Sequence, residues 1–175
     1  MFLDENTFIY KDLLLSKQDV FLLESESIIN FFQYPEQIHN GKWSTSPLCN
    51  RGRWYNNHTC KETLKVLKGL NFIYLASYSL FKSETIVYPH VGFNLKTPVY
   101  RVHLPLIVPK PAKEGEIVLE EDCWIRVGQE TRLWEKNKLL IFDDTINHET
   151  QNNTLEDRLI LLMDFTKEAF TGVNT

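Results

Sequence analysis

Three of the five histidines in this chain lie within or beside segments typical of β-strands, and they are the first candidates for chemistry. His90 closes one strand-like run, His103 lies inside another, and His148 follows a third. Neutral imidazoles are ligands that suit iron, zinc, copper or nickel. His90 and His148 are too far apart in sequence for a local metal motif, but distant strands become neighbours in a folded sheet. A single histidine in a strand is more often a packing residue, so a reading without metal stays open.

The segment Tyr100–Val108 alternates in a way that separates two kinds of side chain. A period of two sends Arg101 and His103 to one face and Val102 and Leu104 to the other. The second pair forms a packing face. A cation and an imidazole on the opposite face suit the inside of a shallow barrel that receives an anion, although a solvent-facing strand would explain the same pair.

Arg158 begins the most apolar strand-like run of the chain, Leu159–Phe165. Burying a guanidinium without a partner is costly. The fold must therefore expose Arg158, for instance in a pair with Glu156 or Asp157, or supply it with an anion. The planar fork of arginine pairs with a carboxylate through two hydrogen bonds.

A cationic and aromatic cluster, formed by Arg51, Arg53 and Trp54, lies in a polar segment nearer the N-terminus. It could bind a carboxylate of a substrate. The pattern favours a solvated loop as the explanation of the same residues.

Short runs rich in Val, Ile, Tyr and Phe must position these residues, and they dominate the chain from about residue 71. The predicted strands are Phe72–Ser79, Thr85–Pro89, Tyr100–Val108, Glu116–Glu120, Cys123–Val127, Leu139–Phe142 and Arg158–Phe165. Glycine, proline and polar residues separate them, and no segment of helix length intervenes. The pattern predicts a mainly β fold, a double-stranded β-helix of the jelly-roll or cupin-like kind, rather than a βαβ fold.

The N-terminal part carries a different pattern. Residues 16–32 have roughly helical periodicity, 43–59 are typical of a loop, and Lys61–Leu67 predicts a second short helix. We expect a single domain over residues 1–175, with a helical and loop part at 1–70 packed on a jelly-roll core at 71–166 and a tail at 167–175.

Composition excludes several classes of partner. The formal net charge of −4 gives no general attraction to nucleic acid or to anionic membranes. The longest apolar run, Leu159–Met163, is too short to cross a bilayer, and no secretion signal is visible. Cys49, Cys60 and Cys123 have no disulfide or zinc spacing, which predicts reduced, buried thiols in a cytoplasmic protein. The sequence does not indicate an oligomeric state.

Several of these segments together resemble the aspartyl/asparaginyl β-hydroxylase family of iron(II)- and 2-oxoglutarate-dependent dioxygenases. The residues that carry the resemblance, in their order and internal spacing, are Tyr88–Gly92, Arg101–Leu106, Ile125-Arg126, Trp134, Phe142–Thr145, His148-Glu149 and Arg158.

The resemblance implies that His90 and His148 bind iron(II). Where most of the wider superfamily carries HxD or HxE, this chain reads His-Val-Gly, so the usual third ligand is replaced by Gly92. Members of the animal branch look similar, and the open position could hold water. In other branches the same vacancy resembles a halide site, which keeps a halogenase-type variant as an alternative. Asp143 and Asp144 are implied to be structural or to orient a ligating histidine.

The cosubstrate residues follow from the same resemblance. Arg158, with Ser79, is implied to hold the distal carboxylate of 2-oxoglutarate. Arg101 and His103 would face either the other end of the cosubstrate or the substrate. Arg126 matches a family arginine and could line the substrate pocket, or be an ordinary strand cation.

The implied activity uses O2 to convert 2-oxoglutarate to succinate and CO2 while a substrate C–H is hydroxylated. We expect the substrate to be an amino acid or a peptide side chain, Asp/Asn-like, since members that act on lipids carry membrane segments. The rival interpretations are a non-catalytic jelly-roll binding module and a cupin isomerase, the latter needing more metal ligands than two histidines. Convergence of His90, His148 and Arg158 on one cavity would discriminate against the binding module.

Overall fold

The computed structural model describes residues 1–55, 59–92, 99–112 and 119–172, which form two facing β-sheets with helices on one outer face. The strands in chain order are β1 (Phe2–Leu3), β2 (Phe32–Gln33), β3 (Trp43–Asn50), β4 (Arg53–Trp54), β5 (Ile73–Phe81), β6 (Thr85–His90), β7 (Val99–Ile107), β8 (Cys123–Val127), β9 (Glu130–Leu133), β10 (Leu140–Phe142), β11 (His148–Asn152) and β12 (Arg158–Thr166). The helices are α1 (Lys11–Ser16), α2 (Gln18–Ser25) and α3 (Lys61–Lys68).

Both sheets are antiparallel in the part of the chain that the structure describes. The larger has eight strands in the order β1-β10-β7-β12-β5-β3-β2, with β4 paired to β3. The smaller has four in the order β6-β11-β8-β9. Two antiparallel sheets packed face to face form a jelly roll, which confirms the predicted fold class.

Alternate residues of β7 and β12 lie on opposite faces of the larger sheet and belong to two different layers of the interior. The outward residues of both strands, such as Val102, Leu104 and Leu161, pack with buried residues of the helices, among them Phe21 of α2. The inward residues of β12, such as Ile160, pack between the sheets with β8 and β10. The predicted division of β7 into an apolar face and a face with Arg101 and His103 is confirmed, since neither belongs to the apolar clusters.

The N-terminal helical prediction is only partly right. The periodic segment 16–32 contains α2, but the helix ends at Ser25, and Ile29 beyond it is 88% exposed. A separate helix, α1, precedes it. The second predicted helix is confirmed as α3.

The predicted loop at 43–59 is wrong over its first half, because β3 and β4 lie there and extend the larger sheet. Polar β9 and β11 were not expected either. The predicted strand Glu116–Glu120 falls largely outside the described residues. With β1 to β4 in the larger sheet, the N-terminal part contributes strands as well as helices, and its division from the core at residue 70 stays a prediction.

All three cysteines, Cys49, Cys60 and Cys123, are buried and free, as predicted. Burial raises the pKa of the Cys123 thiol to about 12, so it is protonated near neutrality. Among the helices in the described ranges, none has the length and apolar character needed to cross a membrane.

Candidate active site

Two imidazoles meet where β6 ends and β11 begins. The antiparallel register places His148 opposite His90, and their ring centroids are 4.2 Å apart. Each Nδ1 lies 2.8 Å from the backbone carbonyl two residues earlier, Tyr88 for His90 and Ile146 for His148. A carbonyl can only accept, so each Nδ1 carries the proton and each Nε2 keeps a lone pair. This tautomer is the one that lets Nε2 bind a metal.

The electrostatic environment keeps His148 neutral. Burial lowers its pKa to about 3, and the positive charge of Arg101 acts in the same direction, while the hydrogen bond that its Nδ1–H donates to the Ile146 carbonyl raises it. A metal ligand must be the neutral imidazole. His148 is therefore ready to bind a cation at neutral pH without first losing a proton.

Gly92 and Asp144 share one space beside this pair. The Gly92 N–H donates to the Asp144 carbonyl at 2.8 Å, and a Cβ at position 92 would overlap the Asp144 carboxylate. Asp144 Oδ1 lies 3.4 Å from His148 Nε2. A carboxylate from the turn between β10 and β11 thus occupies the side where a residue larger than glycine would project. In the described residues, no three His, Cys, Asp or Glu side chains converge as a metal site.

Arg158 lies in the interior with no acidic partner in the part of the chain that the structure describes. It is 1% exposed, and its guanidinium carbon lies 3.6 Å from the ring centre of Phe81 and 4.4 Å from that of Trp134. Nη2 makes a long contact of 3.4 Å with Ser79 Oγ, and Nε has no partner among the described residues. Burial lowers the arginine pKa to about 10. A buried cation in this state is a receptor for an anion.

The alternative of an exposed Arg158 paired to its acidic neighbours is therefore wrong. Asp157 instead accepts from Lys82 Nζ at 2.7 Å on the surface. Alternation along β12 turns residue 158 inward and residue 157 outward.

His103 adds a second unpaired donor to the same interior. Its Nδ1 accepts from Trp134 Nε1 at 3.2 Å, which leaves the proton on Nε2, and Nε2 has no partner in the described residues. Burial, followed by the charge of Arg158, holds the pKa of His103 well below its usual range. His103 is thus a neutral donor.

These groups line one inner cavity of about 30 Å³, whose wall includes His90, His148, His103, Arg158 and Ser79. His90, His148 and Arg158 therefore line the same cavity. This convergence is the criterion that discriminates against a non-catalytic binding module.

Arg101 also lines this cavity and lies between two acids. Nε and Nη2 donate to Asp164 at 2.8 and 3.0 Å, and Nη1 lies 2.5 Å from Asp144 Oδ1. Above it opens an outer cavity of about 320 Å³, lined by Tyr34, Trp43 and Arg51 among others. Arg51 thus reaches the cavity that a substrate could enter.

Two candidates lie elsewhere. Arg126 projects from the outer face of the smaller sheet, where Nε donates to Glu149 at 2.6 Å, and it lines neither cavity. Ile125 and Val127, the neighbours of Arg126 on β8, are buried and face inward. Alternation along the strand therefore directs Arg126 outward. Trp54 packs against the apolar layer with Lys68 above its ring and is also absent from both linings. Neither supports the predicted pocket role.

The sequence argument missed Tyr34, Trp43 and Asp164. Asp164 had a usable signal, because a period of two from Arg158 places it on the same inward face of β12. Tyr34 had none, since it precedes the strand against which it stacks: its ring centre lies 3.8 Å from that of Trp43.

Comparison with known proteins gives consistent relatives. A family model described as aspartyl/asparaginyl beta-hydroxylase matches residues 16–168. The aspartyl/asparaginyl beta-hydroxylase of Mus musculus is 35% identical over 133 residues, which cover 71% of this chain and 16% of that protein. An ornithine lipid ester-linked acyl 2-hydroxylase of Rhizobium tropici is 33% identical over 64% of this chain and 36% of its own length. The chain therefore spans a small part of the curated relatives it matches.

Solved structures agree on the fold at low sequence identity. A prolyl-4-hydroxylase of Pseudomonas putida superposes with a TM-score of 0.54 and 14% identity, covering 91% of this chain and 89% of that one. HygX of Streptomyces hygroscopicus, solved with nickel and 2-oxoglutarate bound, gives 0.56 and 10% over 87% and 78%. With the family model matching most of its length, the chain belongs to the aspartyl/asparaginyl beta-hydroxylase family.

Proposed function

We propose that the protein is an iron(II)- and 2-oxoglutarate-dependent hydroxylase that acts on a C–H bond of an amino acid or peptide side chain, Asp/Asn-like. The observation that carries the proposal is the inner cavity, whose lining combines His90 and His148, each with a lone pair on Nε2, with the buried Arg158, which has no acidic partner among the described residues. Neutral imidazoles suit iron, and an arginine fork suits a carboxylate.

The donor set fits both groups. His90 and His148 would hold the metal, with Asp144 beside the position that Gly92 leaves open. When bound, iron(II) and 2-oxoglutarate supply the oxidising chemistry, in which O2 gives one oxygen to the substrate C–H and the other to succinate as CO2 leaves.

The residues of the chain would orient the cosubstrate. Arg158 and Ser79 would bind the distal carboxylate in the inner cavity, and His103, whose Nε2 has no partner among the described residues, could donate to the cosubstrate. The metal held by His90 and His148 would take its other end, and the apolar walls of the cavity exclude water.

A halogenase-type variant fits less well. A halide at the open position beside Gly92 would approach the Asp144 carboxylate, which repels an anion and accepts hydrogen bonds from water. A non-catalytic module would not be expected to keep His90, His148 and Arg158 around one cavity.

We propose a small molecule or a peptide as the substrate and the cytoplasm as the compartment. The net charge of −4 speaks against nucleic acid as a partner, and the three buried free thiols suit a reducing compartment.

The test is turnover of 2-oxoglutarate by the purified protein with iron(II) and ascorbate, followed as succinate by mass spectrometry. We expect slow succinate formation without substrate and its loss in His148→Ala and Arg158→Ala. Arg132→Ala is the matched control, because Arg132 is an exposed arginine paired with Glu130 at 2.5 Å. Failure of the wild type to bind iron(II) and 2-oxoglutarate by calorimetry would contradict the proposal.

A further inference from the structure

Three lysines form a stripe on the exposed face of α3. Lys61, Lys65 and Lys68 are spaced by four and three residues, so their side chains follow one another along about 10 Å of the helix. All three are exposed, whereas Leu64 and Leu67 on the other face are buried in the core. The packing of α3 therefore does not depend on the charge of this stripe.

The stripe continues onto the hairpin of β3 and β4. Lys68 Nζ lies 5.9 Å from the ring centre of Trp54 on β4, so the last turn of α3 lies beside this strand. Arg53 on β4 and Arg51 in the turn before it are both exposed, and Arg51 lines the outer cavity. The cationic rim, formed by Arg51, Arg53, Lys61, Lys65 and Lys68, thus runs from the outer cavity along α3.

The cationic rim has more positive than negative charge. Among the described residues only Lys65 of the rim has an ion-pair partner, Glu62 at 3.5 Å. Glu24 accepts from the backbone N–H groups of residues 62 and 63, so it already caps the first turn of α3. Glu36 lines the outer cavity with Arg51. A chain with a formal net charge of −4 therefore presents a local surface that attracts anions.

The chemistry of the cationic rim favours a short acidic chain over a membrane or a nucleic acid. The exposed residues of α3 are all charged, and none is a large apolar side chain that could insert into lipid. Extended polyanions also meet the negative field of the remaining surface, whereas a short segment meets only the rim. A chain that lies on the rim would reach the outer cavity at Arg51.

We propose that the cationic rim binds an acidic segment of a peptide substrate, next in sequence to the residue whose side chain enters the outer cavity. The inference rests on the proposed function, because it takes the outer cavity as the approach to the histidines. The outer and inner cavities share Trp43, Arg101 and Leu162. The substrate class thereby narrows from an amino acid or a peptide to a peptide with flanking carboxylates.

The length of the stripe sets the pattern of acids. An extended peptide advances about 3.3 Å per residue and turns alternate side chains to the same side. The lysine stripe therefore spans about three residues, and acids at alternate positions would face it. Each exposed ion pair contributes little alone, but three together correspond to roughly tenfold in affinity.

Fluorescence anisotropy with short labelled peptides tests this preference. Each peptide has a central asparagine and carries three glutamates, three glutamines or three lysines at alternate positions, on its N-terminal side in one set and its C-terminal side in the other. In one of the sets we expect the glutamate peptide to bind about tenfold more tightly than the glutamine peptide, and the lysine peptide to bind most weakly. The advantage should shrink as salt is added, because the rim is exposed.

Charge reversals assign the preference to the cationic rim. Lys65→Glu/Lys68→Glu should reduce the advantage of the glutamate peptide to less than twofold. Lys110→Glu/Lys136→Glu is the matched control, because both lysines are exposed, neither lines the outer cavity, and the net charge changes by the same amount. This control should keep most of the advantage, with the folding of both variants checked by circular dichroism.

Arg51 offers a variant in which unfolding cannot explain a loss of binding. Its φ is 51° and that of Gly52 is 72°, as in a two-residue hairpin turn, and Gly52 N–H donates to the Tyr74 carbonyl at 3.0 Å. Asparagine is favoured at the first of these positions. Arg51→Asn should therefore keep or raise the midpoint of urea unfolding while it weakens binding of the glutamate peptide at least threefold.

Several results overturn the inference. They are equal affinity for the glutamate and glutamine peptides in both sets, an equal loss of preference in the control double variant, and unchanged binding in Arg51→Asn. Binding to phosphatidylglycerol vesicles that is lost in Lys65→Glu/Lys68→Glu, without any peptide preference, would also overturn it and assign the rim to a membrane.

Succinate formation, measured in parallel, separates this inference from the proposed function. If 2-oxoglutarate is turned over but the peptides show no preference, the proposed function stands and the inference fails. If 2-oxoglutarate neither binds nor turns over, the proposed function fails, while the anisotropy still decides whether the cationic rim binds an acidic peptide.

Discussion

Buried polar atoms without partners identify the site at the scale of single residues. Leaving a buried donor unpaired costs on the order of 1–3 kcal/mol, and Arg158 Nε and His103 Nε2 both stand in this state among the described residues. Alternation in the sequence found Arg101, His103 and Arg158, because a charged or polar residue interrupts an apolar strand at each. It could not show that Asp164 pairs with Arg101, because that contact depends on the register between β7 and β12.

His103 gives a pH dependence of stability. Its pKa in the folded protein lies well below 6.5, while in the unfolded chain it returns to about 6.5. Between these values the unfolded state binds a proton that the folded state does not, so stability falls as pH falls below about 6.5, by about 1.4 kcal/mol per pH unit. His103→Gln, which can still accept from Trp134, should have a slope shallower by that amount in urea unfolding with a chelator.

The comparison of slopes isolates His103. His148 has a depressed pKa as well and contributes a loss of the same sign, but it is present in both proteins and cancels. Equal slopes for the wild type and His103→Gln between pH 6.5 and 5.5 would show that His103 is not a buried neutral donor.

At the scale of elements, the strands with clear apolar alternation were predicted and the polar ones were not. β3 reads Trp-Ser-Thr-Ser-Pro-Leu-Cys-Asn and β11 reads His-Glu-Thr-Gln-Asn. Both are central in their sheets, β3 between β5 and β2, and β11 between β6 and β8. Most of their pairing is with strands distant in sequence, β5 for β3 and β6 and β8 for β11, so tertiary pairing overrides local propensity. The polar side chains of β11 have partners of their own: Glu149 accepts from Arg126, and Thr150 and Asn152 donate to backbone carbonyls.

The contact between the end of β6 and the turn before β11 depends on Gly92. A side chain there would meet the Asp144 carboxylate, so we expect Gly92→Ala to lower the free energy of unfolding by about 1–3 kcal/mol, the usual range for overpacking. Urea denaturation measures this loss. Gly69→Ala is the control, because Gly69 has a φ of −77° at the end of α3 and its added Cβ would lie 3.3 Å from Val66 O.

A double-mutant cycle shows whether Asp144 is the cause. In an Asp144→Ala background the same substitution at Gly92 should cost less by about 1 kcal/mol or more, since residues in contact couple at that scale. Additive losses would place the strain elsewhere and remove the argument that Asp144 fills the space of the missing ligand.

At the scale of the whole molecule, the site exists only where the two sheets face each other. The larger sheet provides Arg101, His103 and Arg158, and the smaller one provides His90 and His148. The sequence alone could not place the two histidines side by side, because nothing local predicts that β6 pairs with β11. The family resemblance supplied that convergence, and the register now gives its physical basis.

Two arginines of the larger sheet, Arg101 and Arg158, should differ in how much each contributes to the free energy of unfolding. Arg101 pairs with two buried acids, whereas Arg158 has no acidic partner in the described residues. Removing one member of a buried ion pair typically costs about 3–5 kcal/mol, while removing a buried charge that has no acidic partner also removes the desolvation penalty of that charge. Arg101→Met should therefore lose about that much free energy of unfolding, and Arg158→Met should stay within about 1 kcal/mol of the wild type or exceed it.

Replacing Arg158 should instead abolish the stabilisation that 2-oxoglutarate gives to the folded protein. A ligand at a hundred times its dissociation constant stabilises the folded state by about 2.7 kcal/mol, and the metal-loaded wild type should show this gain in urea denaturation with 2-oxoglutarate added. Arg158→Met should show almost none of it, because the distal carboxylate then faces a methionine in an apolar cavity. A variant that is as unstable as Arg101→Met, or that still gains from 2-oxoglutarate, would mean that Arg158 serves the fold and that the inner cavity does not bind the anion.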